Sequence, residues 1–536
     1  ADYSDYKGIE VDKETIQNGF YIVDDYPEDK VTINEKDVVV TDSKGNKVSG
    51  LTAHLYNSVS EAPKGVQDAL AKGGFVPKGA IQVFSADNPE EYYAKYVQTG
   101  EVLTVKNPMT LKKEFLGKVG EYENTAYQLD FGLAKVTETV KNTFVKPTPK
   151  KANFNKDGVN IDGKEVLAGS INYYHVTADY SSYKGIKADK SRIAQGFFIA
   201  DDYPEDVLDV LSDGIKLVDS KGQEVKGLKY AIYESMEKAP EVVRNALTAR
   251  GFNPKGAFQV WEAENPEEYY AKYVQTGDKV MIINPMKVKE QFAKTGGKYE
   301  NTAYQIDFGV ADVTVTVVNN IPKLETKKDV IIKIGDTESQ DGKTIVLGQN
   351  FYYSFAGSLI PGNRADDLFE YKFVDDYQET HDRFDGVYKV IAKRDFVTVD
   401  GKHFKAGDDL TAYSWLKEDK AKGQLEIGLK EEFLRSIPKE SEFQADVFVE
   451  MTRIQAGEVE NTESHVVNGV TVSSNTVKTR TELPPTPTPQ TPPTTPQQPV
   501  LPNTGAETNS AMAVAGYGLL ALASLSLSTR KRKEDE

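Results

Sequence analysis

The sequence predicts a mainly β protein built from tandem β-sandwich domains with short helical insertions. Short alternating apolar runs recur, and 29 of the 536 residues are tyrosine, which is enriched in strands. Turn sequences such as Ser43-Lys44-Gly45-Asn46 separate these runs. Ala1-Asp2-Tyr3 returns as Ala178-Asp179-Tyr180, and so long a period indicates whole domains in tandem rather than a solenoid of short units.

The repeat keeps one offset, 177 residues (178 minus 1), without gaps. Asp-Asp-Tyr-Pro-Glu-Asp at 24–29 returns at 201–206, and Tyr-Glu-Asn-Thr-Ala-Tyr at 122–127 returns at 299–304. A third, diverged repeat begins near Pro322. We therefore predict five parts: a first sandwich at 1–145 that lacks its opening strand, a second at 146–321, a third at 322–480, a Pro/Thr-rich linker at 481–500 and a tail at 501–536.

Inside each sandwich, the pattern of strands is interrupted by short helices. Residues 36–41 and 79–84 alternate as strands do. A helix is predicted over 61–72, because Pro63 stands near its start and Gly73-Gly74 follows its end. A second brief helix is predicted over 90–97.

Composition narrows the class of partner. The formal charge of −17 argues against nucleic acid and against an anionic membrane surface. Cysteine is absent, so an extracellular protein of this composition needs a source of robustness other than disulfides. No secretory signal opens the sequence, which leads us to expect a C-terminal portion of a longer chain.

The tail resembles the cell-wall sorting signal of Gram-positive surface proteins. An apolar run at 511–528 and a basic cluster at 530–533 suit a stop-transfer segment, and an ordinary membrane anchor is the alternative. The resemblance implies that sortase cuts between Thr504 and Gly505, joins Thr504 to peptidoglycan and discards the membrane segment. It also implies a secreted, wall-anchored protein whose linker crosses the wall as an extended chain. The sortase motif is Leu501, Pro502, Asn503, Thr504 and Gly505.

A lysine, an acid pair and an asparagine recur in the second and third repeats, and this combination predicts an intramolecular isopeptide bond. Burial favours a neutral, nucleophilic amine and a protonated carboxyl, which can polarise the asparagine carbonyl. A fold that holds the groups together makes the attack unimolecular, and ammonia leaves. Such a bond would covalently cross-link the first strand of a domain to its last strand.

Several assignments stay open. Alternation places Asp201 and Asp375 inward, and a bulge would place Asp202 and Asp376 inward instead. The alternative to an isopeptide bond is that these lysines and acids are ordinary solvent-exposed surface residues. The first repeat has an acid and an asparagine, and lacks a lysine strand, so we predict no bond within it. The candidates are Lys151 (or Lys150) with Asn301, Lys327 (or Lys328) with Asn461, and the acids Asp201 or Asp202 and Asp375 or Asp376.

The rival function is a wall-anchored hydrolase, either a glycosidase or a protease, with the Asp-Asp pairs as two-carboxylate catalysts. The pairs recur in every repeat, which favours a structural role, and the chain has only five histidines and no cysteine. We therefore expect a protein that is not an enzyme and needs no cofactor. Acidic loops can bind calcium, but the spacing assigns no ligands.

The three repeats resemble the C-terminal domains of the streptococcal antigen I/II adhesins. The similar stretches include Gly-Phe-Phe-Ile-Ala-Asp-Asp-Tyr-Pro-Glu at 196–205 and Glu-Glu-Phe-Leu-Arg-Ser at 431–436. The resemblance implies immunoglobulin-like sandwiches of the variant type with Lys–Asn isopeptide bonds. It also implies attachment to host salivary or mucosal glycoproteins or to surface proteins of other microbes.

The same family carries a helix of the form Val-Gln-Asp-Leu-Leu-Lys-Lys that docks fimbriae of a partner bacterium. The helix at 66–72 resembles it, with alanine at two of the seven positions, and the second repeat departs further. The alternative is a structural helix that covers a sandwich edge. The matching residues, which are the candidate partner-binding residues, are Val66, Gln67, Asp68, Leu70 and Lys72.

Overall fold

A computed structural model describes residues 1–115 and 117–483, and the fold in these ranges is mainly β. The first repeat contributes ten strands and three short α-helices. The strands are β1 Phe20–Asp25, β2 Val31–Ile33, β3 Val39–Thr41, β4 Leu51–Tyr56, β5 Ile81–Ala86, β6 Thr104–Lys106, β7 Met109–Leu111, β8 Gly120–Asp130, β9 Leu133–Val136 and β10 Val140–Phe144; the helices are α1 Lys13–Ile16, α2 Lys64–Lys72 and α3 Pro89–Tyr92.

The second repeat has the same order of elements, preceded by two additional strands, except that one long strand replaces β6 and β7. The strands are β11 Lys150–Phe154, β12 Ile171–Asp179, β13 Phe197–Asp202, β14 Leu208–Val210, β15 Lys216–Asp219, β16 Leu228–Tyr233, β17 Phe258–Ala263, β18 Lys279–Val288, β19 Gly297–Asp307, β20 Val310–Val313 and β21 Val317–Ile321; the helices are α4 Lys190–Ile193, α5 Glu241–Ala249 and α6 Pro266–Tyr269.

The third repeat is almost purely β. Its strands are β22 Lys327–Ile331, β23 Asn350–Ala356, β24 Tyr371–Asp376, β25 Asp382–Ala392, β26 Phe396–Val397, β27 His403–Phe404, β28 Ser414–Asp419, β29 Gln424–Leu429, β30 Ala445–Arg453, β31 Gly457–Asn461, β32 Glu463–Val467, β33 Val470–Ser473 and β34 Val477–Thr481; its α-helix is α7 Glu431–Arg435.

Each of the last two repeats builds two sheets whose inner faces share a core. In the second repeat the orders are β11-β12-β18-β14, with β15 on β18, and β16-β17-β13-β19-β20, with β21 on β19. In the third they are β22-β23-β30-β25 and β28-β29-β24-β32-β33. Side chains from both sheets, such as Val176 with Ile199 and Phe355 with Phe373, pack in common clusters, as in a β-sandwich.

The first repeat differs in its second sheet. The large sheet has the order β10-β8-β1-β5-β4 with β9 on β8, while the opposite layer consists of two separate ribbons, β2-β7 and β3-β6. The helix predicted over 61–72 is α2, and its α-helical part begins at Lys64. The strand predicted over 36–41 is shorter, because a 3-10 turn occupies Glu35–Asp37.

The second and third repeats also meet through their backbones. Glu165 N donates to Asn363 O at 3.0 Å, and Ala365 N donates to Glu165 O at 2.8 Å. Asn155 Nδ2 adds a bond of 3.1 Å to Ala365 O. Backbone hydrogen bonds of this kind fix the position of one repeat against the other at this junction.

Candidate functional site

In the second repeat, a lysine, an aspartate and an asparagine meet in the core between the two sheets. Lys151 lies on β11, Asp201 on β13 and Asn301 on β19. Lys151 Nζ forms a short ion pair with Asp201 Oδ1 and donates to Asn301 Oδ1 at 2.5 Å. The side chains of Lys151 and Asp201 are completely buried, and Asn301 is 0% exposed. Residues that are 150 positions apart in sequence are therefore in contact.

The phase of each strand decides which member of each residue pair enters the site. Successive side chains of a strand point to opposite faces, so Lys151 is inside and Lys150 is exposed. In the same way Asp201 faces the core and Asp202 is half-buried on the other face. The two aspartates therefore do not share one cleft, and they lack the geometry of a two-carboxylate hydrolase site.

Two amide side chains lie beside Asp201, Gln259 on the neighbouring strand β17 and Asn284 on β18 of the opposite sheet. Asn284 Nδ2 donates to Asp201 Oδ2 at 3.5 Å and to Gln259 Oε1 at 2.6 Å. Gln259 stands directly opposite Asp201 in the β13–β17 register. The ring of Tyr174 lies 5.2 Å from Lys151 Nζ and closes the site on a further side.

Burial dominates the electrostatics of the site. Desolvation lowers the pKa of the Lys151 amine, and the ion pair with Asp201 opposes this only in part. Desolvation likewise raises the pKa of the Asp201 carboxyl. Both shifts favour a neutral amine beside a protonated acid, which are the protonation states that nucleophilic attack on an amide requires.

The third repeat brings together the same residue types, Lys328, Asp375 and Asn461, with the asparagine bonded to the acid rather than to the lysine. Lys328 Nζ forms a short ion pair with Asp375 Oδ1, and Asn461 Nδ2 donates to Asp375 Oδ2 at 3.3 Å. All three residues are buried. Burial again lowers the pKa of the lysine and raises that of the acid.

The prediction of Lys327 as the reacting lysine needs correction, since that residue is exposed and Lys328 takes its place in the site. The phase of β22 is the physical reason, because Lys328 pairs with Phe355 of β23 and points inward with Val330. Asp376, the alternative acid, is exposed.

The surroundings of the third site differ from those of the second. Leu425 and Val449 occupy the register positions of Gln259 and Asn284. Glu463, which stands opposite Asp375, occupies the position of Ala303. Desolvation raises the pKa of Glu463 to about 7, and its Oε2 has no hydrogen-bond partner among the described residues.

The positions of the asparagines also correct the expected strand pairing. Asn301 lies on β19, and two further strands follow it. Asn461 ends β31, and three strands follow it. A bond at either site would therefore join the first strand of the repeat to a strand that precedes the last one in sequence.

The first repeat retains the acid and the asparagine without a lysine. Asn107 Nδ2 donates to Asp24 Oδ2 at 2.8 Å and to Gln82 Oε1 at 2.6 Å. Asn124 Oδ1 is buried without a hydrogen-bond partner in the described part of the chain. Offset by 177, these residues are the counterparts of the acid and amides of the second repeat.

Two family comparisons cover almost all of the described chain. Residues 1–144 and 149–321 match the cell surface antigen I/II C2 terminal domain. Residues 325–482 match the cell surface antigen C-terminus. The chain belongs to the antigen I/II family. Its C-terminus carries the cell-wall anchor of a surface protein, since residues 493–536 also match the LPXTG cell wall anchor motif.

Solved structures of antigen I/II proteins resemble this chain in both sequence and fold. The C-terminal domain of AspA from Streptococcus pyogenes is 34% identical with a TM-score of 0.59, covering 62% of this chain and 99% of that one. The C-terminal domain of BspA from Streptococcus agalactiae is 34% identical with a TM-score of 0.54 over the same shares. The aggregation substance of Enterococcus faecalis is 33% identical over 78% of this chain, which spans 32% of that relative's length.

The anchor places this antigen I/II protein outside the cell, attached to peptidoglycan after sortase processing. The motif Leu501, Pro502, Asn503, Thr504 and Gly505, the linker from residue 484 onward and the apolar run at 511–528 lie outside the described residues. Within residues 1–115 and 117–483, no helix is both long and apolar enough to cross a membrane. The same ranges contain no group of three or more His, Cys, Asp or Glu side chains that is arranged to hold a metal ion.

The helix that resembles the family's docking element is α2, and its apolar residues are not available to a partner. Val66 and Leu70 are 0% and 1% exposed and pack against Val23 and Val83 of the large sheet. This corrects the expectation that they are contact residues, because an amphipathic helix on a sheet buries its apolar stripe.

The polar side of α2 is used largely within the chain. Gln67 Nε2 donates to the carbonyl of Ala62 at 2.7 Å, and Asp68 pairs with Lys64 at 2.6 Å. Lys72 is exposed. The contacts of α2 therefore match the structural alternative, a helix that covers the face of a sheet.

Sequence reasoning missed the residues that surround each triad. Gln259 and Asn284 are polar residues whose neighbours along the strand are apolar, and they repeat Gln82 and Asn107 at the same offset of 177. That repetition was a usable signal. No sequence signal pointed to Glu463, because the other repeats have no acidic residue at the equivalent position.

Proposed function

We propose that the second and third repeats form a covalently clamped stalk of the adhesin, closed by isopeptide bonds Lys151–Asn301 and Lys328–Asn461. The observation that carries the proposal is the contact of Lys151 Nζ with both Asp201 and Asn301 inside the core. The same residue types converge in the third repeat, which supports a shared chemistry.

In the proposed reaction, the neutral Nζ attacks the asparagine Cγ while the protonated aspartate donates a hydrogen bond to Oδ1. The aspartate then accepts a proton from Nζ and delivers one to Nδ2. The Cγ–Nδ2 bond breaks and ammonia leaves, so the new Nζ–Cγ amide forms and the acid is regenerated. In the third repeat the Asn461 amide has to turn about its last side-chain torsion, because its nitrogen faces the acid.

Placement in the core explains why the reaction would proceed without an enzyme. The three groups have already lost their freedom of motion, so the fold supplies the effective concentration. Each bond forms once, and the domain does not catalyse repeated turnovers of a substrate. Asp201 and Asp375 act as the proton-transferring acids, and their neighbours Asp202 and Asp376 do not take part.

A bond between two sheets also suits a protein under tension. Lys151 and Asn301 belong to different sheets of the sandwich, so the link prevents the sheets from separating. The covalent loop restricts the unfolded chain in the way a disulfide does. The backbone junction at Glu165 and Asn363 would pass the load to the next repeat.

At its end, the stalk would be joined to peptidoglycan through Thr504, after sortase cleaves the Thr504–Gly505 bond. We propose that the adhesin attaches to host salivary or mucosal glycoproteins or to surface proteins of other microbes. Membership of the antigen I/II family supports this part of the proposal.

Intact-mass spectrometry of the purified full chain tests the bonds. We expect a deficit of two ammonia molecules relative to the sequence mass. Asn301→Ala and Asn461→Ala should each abolish one of the two ammonia deficits and lower the melting temperature. Peptide mapping should recover Lys151 joined to Asn301 and Lys328 joined to Asn461.

The exposed neighbours provide matched controls. Lys150→Ala and Lys327→Ala should leave both deficits intact, whereas Lys151→Ala and Lys328→Ala should each remove one. A folded chain that carries its full unmodified mass would refute the proposal. Binding of the chain to immobilised salivary glycoproteins tests the adhesive part separately, and absence of binding counts against that part only.

A further inference from the structure

A buried hydroxyl group, that of Tyr174, lies beside the reacting groups of the second repeat. Tyr174 is 0% exposed, and its Oη has no hydrogen-bond partner among the described residues. Asn301 Nδ2, the nitrogen that would leave as ammonia, is likewise buried and unpartnered within the described ranges. Because burial of an unpaired polar atom is unfavourable, a donor and an acceptor left unpaired in one site are suited to each other.

The hydroxyl and the amide both lie next to the lysine amine. Lys151 Nζ donates to Asn301 Oδ1 at 2.5 Å and lies 5.2 Å from the centroid of the Tyr174 ring. Burial is the main cause that raises the pKa of the Tyr174 hydroxyl, and the Asn301 side chain opposes this rise from close by. Since the amide oxygen is turned to the amine, the amide nitrogen is the end that remains for the hydroxyl.

In the third repeat, the equivalent tyrosine hydroxyl has a different partner. Tyr353 occupies the same register position, two residues before the residue that pairs with the reacting lysine. Its hydroxyl donates to Asp382 Oδ2 at 2.8 Å, and Asp382 forms a buried ion pair with Arg453. The second repeat has Leu208 and Val288 in the register positions of that pair. Its tyrosine hydroxyl therefore has no acid to bind there and remains available to the amide.

The two asparagine amides point in opposite directions. Asn301 turns its Oδ1 to the lysine of its site. Asn461 turns its Nδ2 to Asp375, and its Oδ1 is buried without a partner in the described part of the chain. The orientation that the proposed reaction needs is thus present in the site whose tyrosine hydroxyl is free, and absent where that hydroxyl binds an acid.

We propose that Tyr174 is a positioning residue of the second site, whose hydroxyl accepts a hydrogen bond from Asn301 Nδ2 and keeps Oδ1 turned toward Lys151. The inference rests on the isopeptide chemistry proposed above and adds no step to it. Hydrogen bonds around reacting groups are often long at first and shorten as those groups come together, so this one tightens as Nζ attacks Cγ. Tyr353 is held by Asp382 and does not position Asn461.

The rate at which each bond closes tests the inference. Time-resolved mass spectrometry is applied during the first folding of chain that is prepared unfolded and without the bonds. Digestion at each time point then quantifies the two cross-linked peptides separately. Tyr174→Phe removes the hydroxyl and keeps the ring, so closure at Asn301 should slow about tenfold, the effect of one hydrogen bond. Closure at Asn461 in the same sample should be unchanged.

The third repeat supplies the matched control and a variant that should gain speed. Tyr353→Phe should leave closure at Asn461 unchanged, because its hydroxyl is bonded to Asp382 and not to the amide. Asp382→Leu combined with Arg453→Val copies the second repeat and frees that hydroxyl, so closure at Asn461 should accelerate. Adding Tyr353→Phe to this pair should remove the gain. This arm tests the inference independently of how well Tyr174→Phe folds.

The outcomes separate this inference from the stalk proposal. An unchanged rate at Asn301 in folded Tyr174→Phe would overturn the positioning role and leave the stalk bonds intact. Equal slowing at both sites, or a gain at Asn461 that survives Tyr353→Phe, would overturn it as well. If the unsubstituted chain yields no cross-linked peptide at either site, the stalk bonds are refuted and the positioning role with them.

Discussion

The second and third repeats place the same three residue types in the same core position and surround them differently. In the second, Asp201 lies among amides, with Gln259 opposite it and Asn284 bonded to it. In the third, leucine and valine replace those amides, and Glu463 stands opposite Asp375. The lysine environment changes too, because Lys328 Nζ lies 4.5 Å from the ring centroids of both Tyr353 and Phe355.

The comparison separates what the proposed chemistry needs from what only supports it. Lysine, acid and asparagine are fixed, while the partners of the acid vary between hydrogen-bonding and apolar side chains. Fewer amide donors stabilise the charged form of the acid in the third repeat, so the pKa of the carboxyl is raised in the two environments by a different balance of desolvation and hydrogen bonding.

The largest expected effect comes from removing the shared acid. Asp201→Ala and Asp375→Ala should each abolish one ammonia deficit, and each leaves a buried lysine without its counter-ion. Loss of one partner of a buried pair typically costs about 3–5 kcal/mol of unfolding free energy. Mass spectrometry and thermal unfolding measure both effects. Asp376→Ala is the matched control, and a comparable loss there would contradict the strand phase described above.

The stability of the third repeat should depend on pH through Glu463. The second repeat has Ala303 at the equivalent position, and alanine has no titratable group. The pKa of Glu463 rises from 4.5 to about 7 on folding, so the folded state binds the extra proton. The stabilisation is complete below pH 4.5 and is lost as pH rises through 7, a change of about 3 kcal/mol. Unfolding of Glu463→Gln from pH 4.5 to 8 should show a flatter profile than the unsubstituted chain.

The exposed neighbour Glu460 provides the control for that experiment. Glu460→Gln should leave the pH profile unchanged, because this side chain pairs with Lys478 in solvent. Equal slopes for the Glu463→Gln chain and the unsubstituted chain would show that Glu463 does not titrate in this range.

The smallest expected effect comes from the residues around the acid, which are amides in the second repeat and apolar side chains in the third. Asn284→Ala removes a donor to Asp201 and leaves Gln259 Oε1 without that partner, so we expect a cost of about 1–3 kcal/mol and slower closure of the second site. Time-resolved mass spectrometry during the first folding of chain that is prepared unfolded and without the bonds measures closure. The counterpart Val449→Ala leaves a small cavity and should not slow the third site. Equal slowing in both variants would mean that packing, and not hydrogen bonding, sets the rate.

Much of this protein could be predicted from the printed chain, because a repeat with one offset and period-two alternation are local properties. Tandem mainly β domains, the wall-anchor tail and the three residue types of each site all follow from such patterns. Asp201 could be favoured over Asp202 because Phe197 and Ile199 establish the phase of that strand.

Tertiary structure decided what local pattern leaves open. Residues 327–331 read Lys-Lys-Asp-Val-Ile, which has no clear alternation, so only pairing with β23 determined that Lys328 rather than Lys327 points inward. Helix α2 could be predicted from its ends, yet only its packing on the sheet turned Val66 and Leu70 from candidate contacts into core. The convergence of Gln259, Asn284 and Asp201 also depends on which strands become neighbours, and that choice is made by burial over the whole sandwich rather than by any short stretch of sequence.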